Sequence, residues 1–535
     1  MSRTTHVMLI KWIIVISSAC CLISACNPYY FRENYREAND FLRDTENMQE
    51  KLYLKAHLED GKVYILRDKW TLDTTQNILK GEGSLYDANR RIMRTGPVNV
   101  PIDSIVIFET NKSLDEAERN TAGGLAILGG LDVLFGLICI TAPKSCFGSC
   151  PTFYINEEDN FHFADAEGFS KAISPSLEYA DIDALSHIAT ENFSITMKNE
   201  ALETHCVNQV SLLAVAQRDN ERVYQSAEDT FYRCDFEFMT GQALAEEGDI
   251  TDLLIEADRN ERFSLADEQN MLSKEEIYLT FETPSDPENL GLLISFRQSL
   301  MTTYLIYSGL DYMGPYVSDI FAKMESNDNI RKQLRNGIKE ELGGIEIHVW
   351  NEESERWEVQ GSFYETGPIA FNKQILPLQN EYYGKVLKVK IVLNRGLWRL
   401  DQVALTQIHE EIEPIILTPY EVLNKGKKDP DALNRLKDQE AHLISMPGSA
   451  YQFNFTMPDK EQKYELFLQS KGYYLEWMRE SWLKESNMRK LHQLVKHPRR
   501  YLKTEAKAYK EYEKYMEEVF WNSRIDTRSF SYYDN

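Results

Sequence analysis

The spacing of apolar and polar positions changes character several times along the chain, and each change marks an element. Leu52, Leu54 and Ala56 alternate with polar residues, Asp60-Gly61 forms a turn dipeptide, and Lys62-Val63-Tyr64-Ile65-Leu66 returns as a second strand. Further strand-like runs at Gly83–Tyr86, Val98–Ile102 and Ser104–Glu109 predict a small β-barrel or β-roll over residues 51–112. Residues 120–142 break this pattern. They are almost wholly apolar, carry Gly123, Gly124, Gly129, Gly130 and Gly136, and hold one charged residue, Asp132. The run meets the ~20-residue length of a membrane helix. A carboxylate at its middle would cost ~2.5–3.5 kcal/mol in lipid, so a buried or interfacial segment is preferred to a spanning one.

Strand patterns resume at Phe193–Lys198, Val207–Ala216 and 230–240, giving a central β domain over residues 146–240. An acidic, polar stretch at 241–274 reads as a linker with some helix. Alternating runs at Tyr278–Phe281, Leu292–Phe296, Ile345–Trp350, Trp357–Val359, Val386–Leu393 and Trp398–Leu405 predict a β-sandwich over 275–412, with a helical insertion at 315–342. Residues 440–535 open with a strand at Tyr451–Phe455. Apolar and aromatic residues then recur at helical spacing through Phe467, Tyr473, Tyr474, Trp477, Trp482, Leu491 and Leu494 to Tyr512 and Phe520. The expected fold class is therefore mainly β and multidomain, with an α-helical C-terminal region.

Composition sharpens this picture. At ~100–200 residues per domain, 535 residues hold about three or four. Acids outnumber bases 84 to 59, a formal charge of −25 that argues against a nucleic-acid partner. A hydrophobic content of 43% argues against a disordered chain.

The N-terminus carries Arg3 and Lys11, no acid, and an apolar run from Trp12 to Ala25, the pattern of a secretory signal over residues 1–25. The run closes as Leu22-Ile23-Ser24-Ala25-Cys26, which resembles a bacterial lipobox. That resemblance implies cleavage before Cys26 and a diacylglyceryl thioether on its sulfur. Residues 26–50 would then form a polar tether. Acyl chains contribute ~0.8 kcal/mol per buried methylene, enough to hold the chain on a membrane. The expected location is a bacterial cell envelope, with the outer membrane as the expected membrane.

Disulfides are allowed outside the cytoplasm. Cys146 and Cys150 are a disulfide candidate, with Gly148 and Ser149 supplying the turn. A metal site is disfavoured because no second CxxC or His pair follows. Cys206 and Cys234 either pair or serve as buried hydrophobes.

The segment Cys150-Pro151-Thr152-Phe153-Tyr154, the acidic turn Glu157–Asn160 and Phe161-His162-Phe163-Ala164-Asp165-Ala166-Glu167 together resemble a segment of uncharacterised Bacteroidetes-type bacterial lipoproteins. In that family a glycine-rich apolar run also precedes the Cys-Pro. The resemblance implies location and architecture, and no reaction. Trp398-Arg399-Leu400-Asp401-Gln402-Val403-Ala404-Leu405 is similar to the last strands of galactose-binding-like jelly rolls, a likeness of fold alone.

Catalytic constellations are sparse. His409-Glu410-Glu411-Ile412-Glu413 lacks the second His of a zinc helix, and neither a GxSxG elbow nor a phosphate-binding loop occurs. Ser481-Trp482-Leu483-Lys484 matches SxxK without its supporting motifs. Asp181-Ile182-Asp183 and the acids at 157–159 are Ca²⁺ candidates, but solvated turn acids are the preferred reading. Asp165 and Glu167 share one face of a presumed strand, a spacing that paired carboxylates tolerate. His205 and Cys206 point to opposite faces and form no dyad. No cofactor or metal is expected.

The sequence thus favours a non-enzymatic binding or scaffold lipoprotein meeting the membrane through Cys26 and a glycan or another envelope protein through its β-sandwich. Trp350, Trp357 and Trp398 are the aromatic candidates for that contact, although core positions are the preferred reading for them. The alternatives are an envelope enzyme of the hydrolase class with a site assembled from distant residues, and a structural subunit of a membrane assembly that uses 120–142 as its contact helix.

Overall fold

The computed structural model describes residues 30–523 apart from 36, 46–53, 59–61, 87–91, 114–149, 156–163, 190, 200–202, 236–238, 284–288, 366, 380–384, 447 and 477–485. The signal segment with Cys26, the glycine-rich run 120–142, Cys146, the acidic turn 157–160 and Ser481–Lys484 lie outside the described residues. The protein is mainly β, with several sheets and a helical C-terminal region. It divides into two compact units, one centred on residues 30–113 and the other on residues 150–523.

The first unit is a six-stranded sheet in the order Tyr30–Tyr35, Ile105–Ser113, Leu54–Leu58, Val63–Asp73, Ile78–Tyr86 and Ile92–Pro101. Part of the expected tether belongs to it. Tyr30–Tyr35 pairs residue for residue with Phe108–Ser113, and the helix Ala38–Thr45 buries Phe41 against Trp70 and Phe108, with ring centroids 5.8 and 6.0 Å apart. The polar residues of 30–45 concealed an apolar anchor at one turn of the helix. Strand alternation places Lys55 and His57 on the face opposite Leu54 and Ala56. All four are buried, and so is Glu109, which accepts a hydrogen bond from Lys55 Nζ (2.6 Å) and lies 2.9 Å from His57 Nε2. Mutual pairing is what makes three ionisable groups tolerable there.

The second unit stacks four sheets. The first sheet runs Lys427–Lys428, Glu421–Asn424, Ala450–Thr456, Asn192–Lys198, Thr152–Tyr154, Ala166–Glu167. The second runs Ile415–Leu417, Glu203–Ala216, Tyr464–Glu476, Tyr179–Ala189. The third contains Phe231–Asp235, Glu221–Gln225, Asn372–Pro377, Leu290–Gln298, Trp398–Ile412 and Met239–Thr240, and the fourth Gly248–Asp249, Gln242–Ala245, Lys274–Glu282, Val386–Asn394, Ile345–Asn351 and Arg356–Phe363.

Each interface has its own apolar filling. Phe153, Ile195 and Phe453 of the first sheet meet Val210, Leu212 and Leu466 of the second. The other face of the second sheet sends Leu213 and Phe467 against Val223 and Phe231 of the third, the two Phe rings 4.9 Å apart. Phe296 of the third sheet meets Phe363 of the fourth at 5.8 Å. This stacking explains the sequence patterns. Leu290–Gln298 lies in a middle sheet and is buried at every position, which removes its alternation, whereas Lys274–Glu282 in the outermost sheet alternates exposed and buried throughout.

Three differences from the sequence reading follow from long-range pairing. The stretch 464–476, with Phe467, Tyr473 and Tyr474, is a strand rather than a helix, paired with Glu203–Ala216 on one side and Tyr179–Ala189 on the other. Both of its faces are covered, so its apolar residues do not follow a period of two. Second, Ala450–Thr456 and Tyr464–Glu476 complete sheets of the central domain, while Glu221–Gln225 and Phe231–Asp235 belong to the sandwich. Third, the expected linker 241–274 is woven into the sandwich. Arg262, buried in the third sheet, forks onto Glu275 at 2.6 and 2.7 Å.

The helical insertion spans Met301–Met313, Val317–Glu325 and Asp328–Leu342. The C-terminal helices Met488–Lys496 and Pro498–Ser523 pack on it: Tyr312 and Tyr501 bond hydroxyl to hydroxyl at 3.0 Å, and Glu505 accepts from Tyr304 (3.1 Å) and Lys490 (3.1 Å). The last helix also grips the sandwich. Glu513 accepts the backbone N–H of Ala266 (2.8 Å) while Lys510 donates to its carbonyl (2.6 Å).

Candidate functional site

The fourth sheet has one face on the core and one in solvent. Ile277, Leu279, Phe281, Ile347, Val389 and Ile391 fill the inner face, so strand alternation forces Tyr278, His348, Trp350, Lys388 and Lys390 outward. The hairpin register then sets Trp350 directly opposite Trp357. Their ring centroids are 5.4 Å apart in edge-to-face geometry, and Tyr278 closes on Trp357 at 5.8 Å. The result is an aromatic ridge across the solvent face of the sandwich. Tyr278 is 42% exposed, and Leu244, Val359 and Val386 extend the apolar surface around it.

Charged groups are interleaved with the rings. Lys390 Nζ lies 5.4 Å from the centre of the Trp357 ring and 3.2 Å from Glu276; Lys388 Nζ lies 6.0 Å from Trp350 and 2.9 Å from Glu352. Tyr278 donates its hydroxyl proton to Glu276, which, with Lys390, holds that carboxyl below the usual range. His348 Nε2 is 2.6 Å from Glu346. The ridge therefore offers flat apolar faces rimmed by carboxylates and ammonium groups, the surface chemistry of a polar ligand with an apolar side. Trp398 has a different fate. It is fully buried against Phe296 (5.8 Å) and Tyr364 (5.7 Å), a core residue as the sequence preferred.

Of the carboxylates singled out in the sequence, Glu167, Asp181 and Asp183 are buried and Asp165 is half-buried. Glu167 accepts hydrogen bonds from the Cys150 thiol (3.2 Å) and from the backbone N–H groups of Ile369 (2.9 Å) and Ala370 (3.2 Å). Gly367 makes this approach possible: its φ is +129°, and a Cβ there would stand 2.6 Å from Glu167 Oε2. Asp165 accepts the N–H of Ile155 at 2.8 Å. Asp165 and Glu167 thus both serve to bind backbone. Behind Glu167 lies a cavity of about 40 Å³ lined by Cys150, Glu167, Glu203, Tyr307, Tyr474 and Glu476.

Cys150 is a free, buried thiol; Cys146, with which the sequence reading pairs it, lies outside the described residues. Burial, then the charges of Glu167 and Glu203, push the Cys150 thiol well up, which suits a hydrogen-bond donor and not a nucleophile. Cys206 and Cys234 are also free and buried, and burial pushes Cys206 up to about 12. His205 bonds Glu203 (3.1 Å) rather than its neighbour Cys206. Asp181 and Asp183 occupy a buried strand instead of a solvated turn. Among the described residues no cluster of three or more His, Cys, Asp or Glu has a metal-holding arrangement, and no helix is long and apolar enough to cross a membrane.

The class the fold defines is a mainly β, multidomain protein with an aromatic ridge on the solvent face of its fourth sheet. No protein-family model matches this chain, and no curated protein matches it.

Proposed function

We propose that the chain is a lipid-anchored binding or scaffold protein of a bacterial cell envelope, related to the Bacteroidetes-type lipoproteins that its Cys150–Glu167 segment resembles, and that a glycan lies on its fourth sheet. The observation that carries the ligand reading is the Tyr278–Trp357–Trp350 ridge. A pyranose ring has an apolar face of C–H groups and a rim of hydroxyls. Indole faces cover the former, while Glu276, Glu346 and Lys390 stand within one or two strands to bond the latter. The lipobox ending at Cys26 supports the anchor.

Affinity electrophoresis in gels containing neutral polysaccharides tests the ligand. Wild type is expected to be retarded by at least one of them, and Trp350→Ala/Trp357→Ala to run free. Because that pair is cross-strand and half-exposed, the double variant should lose only about 1 kcal/mol of stability, so the loss of retardation would not reflect unfolding. Equal retardation of both proteins would remove the ridge from the reading. For the anchor, labelling with a clickable palmitate analogue should mark wild type and leave Cys26→Ala unmarked; label retained on the variant would sink the lipobox assignment.

A further inference from the structure

We propose that the outward face of the helices Met488–Lys496 and Pro498–Ser523 is a docking surface for the phosphate headgroups of an anionic bilayer, a second attachment beside the lipid on Cys26; the choice of a bilayer rests on the lipid-anchored reading above. Charge segregation is the first observation. Residues 488–510 hold eight Lys and Arg against one acid, Glu505, in a chain whose formal charge is −25. Glu505 is buried and accepts from Lys490 and Tyr304, so it does not face solvent.

Packing decides which way the cations point. Leu491 and Leu494 are buried on the first helix, and Tyr501, Leu502, Ala506 and Tyr509 on the second. These faces lie on the helical insertion, where Tyr501 meets Tyr312 and Leu494 lies beside Gly309. Helical spacing then turns Arg489, His492 and Lys496 outward on the first helix, and Arg499, Arg500, Lys503 and Lys507 on the second; all seven are exposed. The two rows join at the elbow between the helices, where the rings of His492 and His497 lie 5.6 Å apart. From Arg499 to Lys507 the second row runs ~12 Å along its helix. The acids adjoining this face are Glu341, 3.1 Å from Arg499, its chain neighbour Glu340, and Glu511, one turn past Lys507.

Helix stability does not account for this pattern. A helix N-terminus carries partial positive charge and favours acids. Pro498–Ser523 has no acid in its first turn and carries Arg499 and Arg500 there; Met488–Lys496 likewise opens with Arg489 and Lys490 and no acid. Arg499, Lys503 and Lys507 recur at every fourth position, a spacing that sets like charges against one another. An anionic surface relieves both repulsions, because phosphate oxygens neutralise the side chains and are attracted to helix N-termini.

The acidity of the whole chain does not oppose the contact. Screening over ~8 Å at physiological salt means that a bilayer meets the cations that touch it and not the acids on the far side. Met488, 47% exposed beside Arg489, adds an apolar contact at the same face. An acyl anchor joined to a basic patch is a general two-part attachment to membranes.

Co-sedimentation with vesicles tests the face apart from the anchor when residues 26–535 are used with Cys26→Ala, so that no lipid is attached; the palmitate labelling tests the anchor by itself. Affinity for vesicles with about 30% phosphatidylglycerol in phosphatidylcholine is expected to exceed that for pure phosphatidylcholine by about tenfold or more at roughly 0.1 M salt, and the preference to collapse at roughly 0.5 M. Arg500→Glu/Lys503→Glu/Lys507→Glu should abolish the preference with an unchanged urea midpoint, since the three side chains are exposed. Lys427→Glu/Lys460→Glu/Lys463→Glu makes the same change of net charge at exposed positions outside these helices and should keep it. Should the first reversal fail to fold, Arg500→Gln/Lys503→Gln/Lys507→Gln should still cut the preference about threefold or more. Equal affinity for the two vesicles, or a preference that survives in the helix variants that fold, overturns the proposal. Retardation by an anionic polysaccharide without a preference for anionic vesicles gives the face to a glycan and overturns the membrane contact as well.

Discussion

Glu167→Ala is expected to destabilise the protein by roughly 3–5 kcal/mol, because one truncation strands two backbone N–H groups and a thiol in a dry site. The glutamate is buried, and its two oxygens serve Cys150 on one side and Ile369 and Ala370 on the other. Each orphaned buried donor costs about 1–3 kcal/mol, with the thiol at the weak end. Urea denaturation at fixed pH reads this as a drop in midpoint. Cys150→Ala serves as the control, since it removes only the weak thiol bond and should cost about 1 kcal/mol. Equal effects from the two variants would show that the loop 364–371 does not depend on Glu167.

The second large effect is expected at Arg297. Its guanidinium is 1% exposed, forks onto Glu261 at 2.5 and 2.8 Å, donates to the Pro368 carbonyl and lies 5.2 Å from the Phe371 ring centre. Arg297→Ala leaves Glu261 buried without its main cation, a loss of about 3–5 kcal/mol by the usual cost of breaking a buried pair. Arg399, 3.4 Å from the same carboxylate, keeps the expected value near the lower end. Replacing both partners, as Arg297→Met/Glu261→Leu, should recover most of the loss in the same denaturation assay, because no unpaired charge remains. A double variant as weak as Arg297→Ala would mean that packing around Phe371, and not charge, sets the cost.

Both residues bond the same stretch of backbone, Pro368 to Ala370, and neither role is legible in the sequence. The spacing of Glu167 from Asp165 fits a carboxylate pair for acid–base chemistry. Its real partners are backbone atoms about 200 positions away, which no local spacing reports. Arg297 sits inside the apolar run Leu290–Gln298 and looks there like a strand end facing water. The ridge was more legible. Trp350 and Trp357 flank a turn in an alternating hairpin, so their meeting on one face follows from a period of two. Which of Trp350, Trp357 and Trp398 faces solvent did not follow, because alternation names two faces without saying which one is covered.

Local pattern suffices for the mainly β class, the hairpin at Ile345–Phe363, the insertion of helices between sandwich strands, and which alternating residues share a face. Backbone geometry alone enforces these, since successive side chains on a strand must point opposite ways. Long-range pairing makes Tyr464–Glu476 a strand, brings the chain's late strands into the central sheets, and buries the middle sheets on both sides. A strand enclosed between two sheets is covered on both faces, so its apolar residues are no longer confined to alternate positions. Its one-dimensional signal then loses the very period by which a strand is recognised, and its identity passes to the partners it pairs with across hundreds of residues.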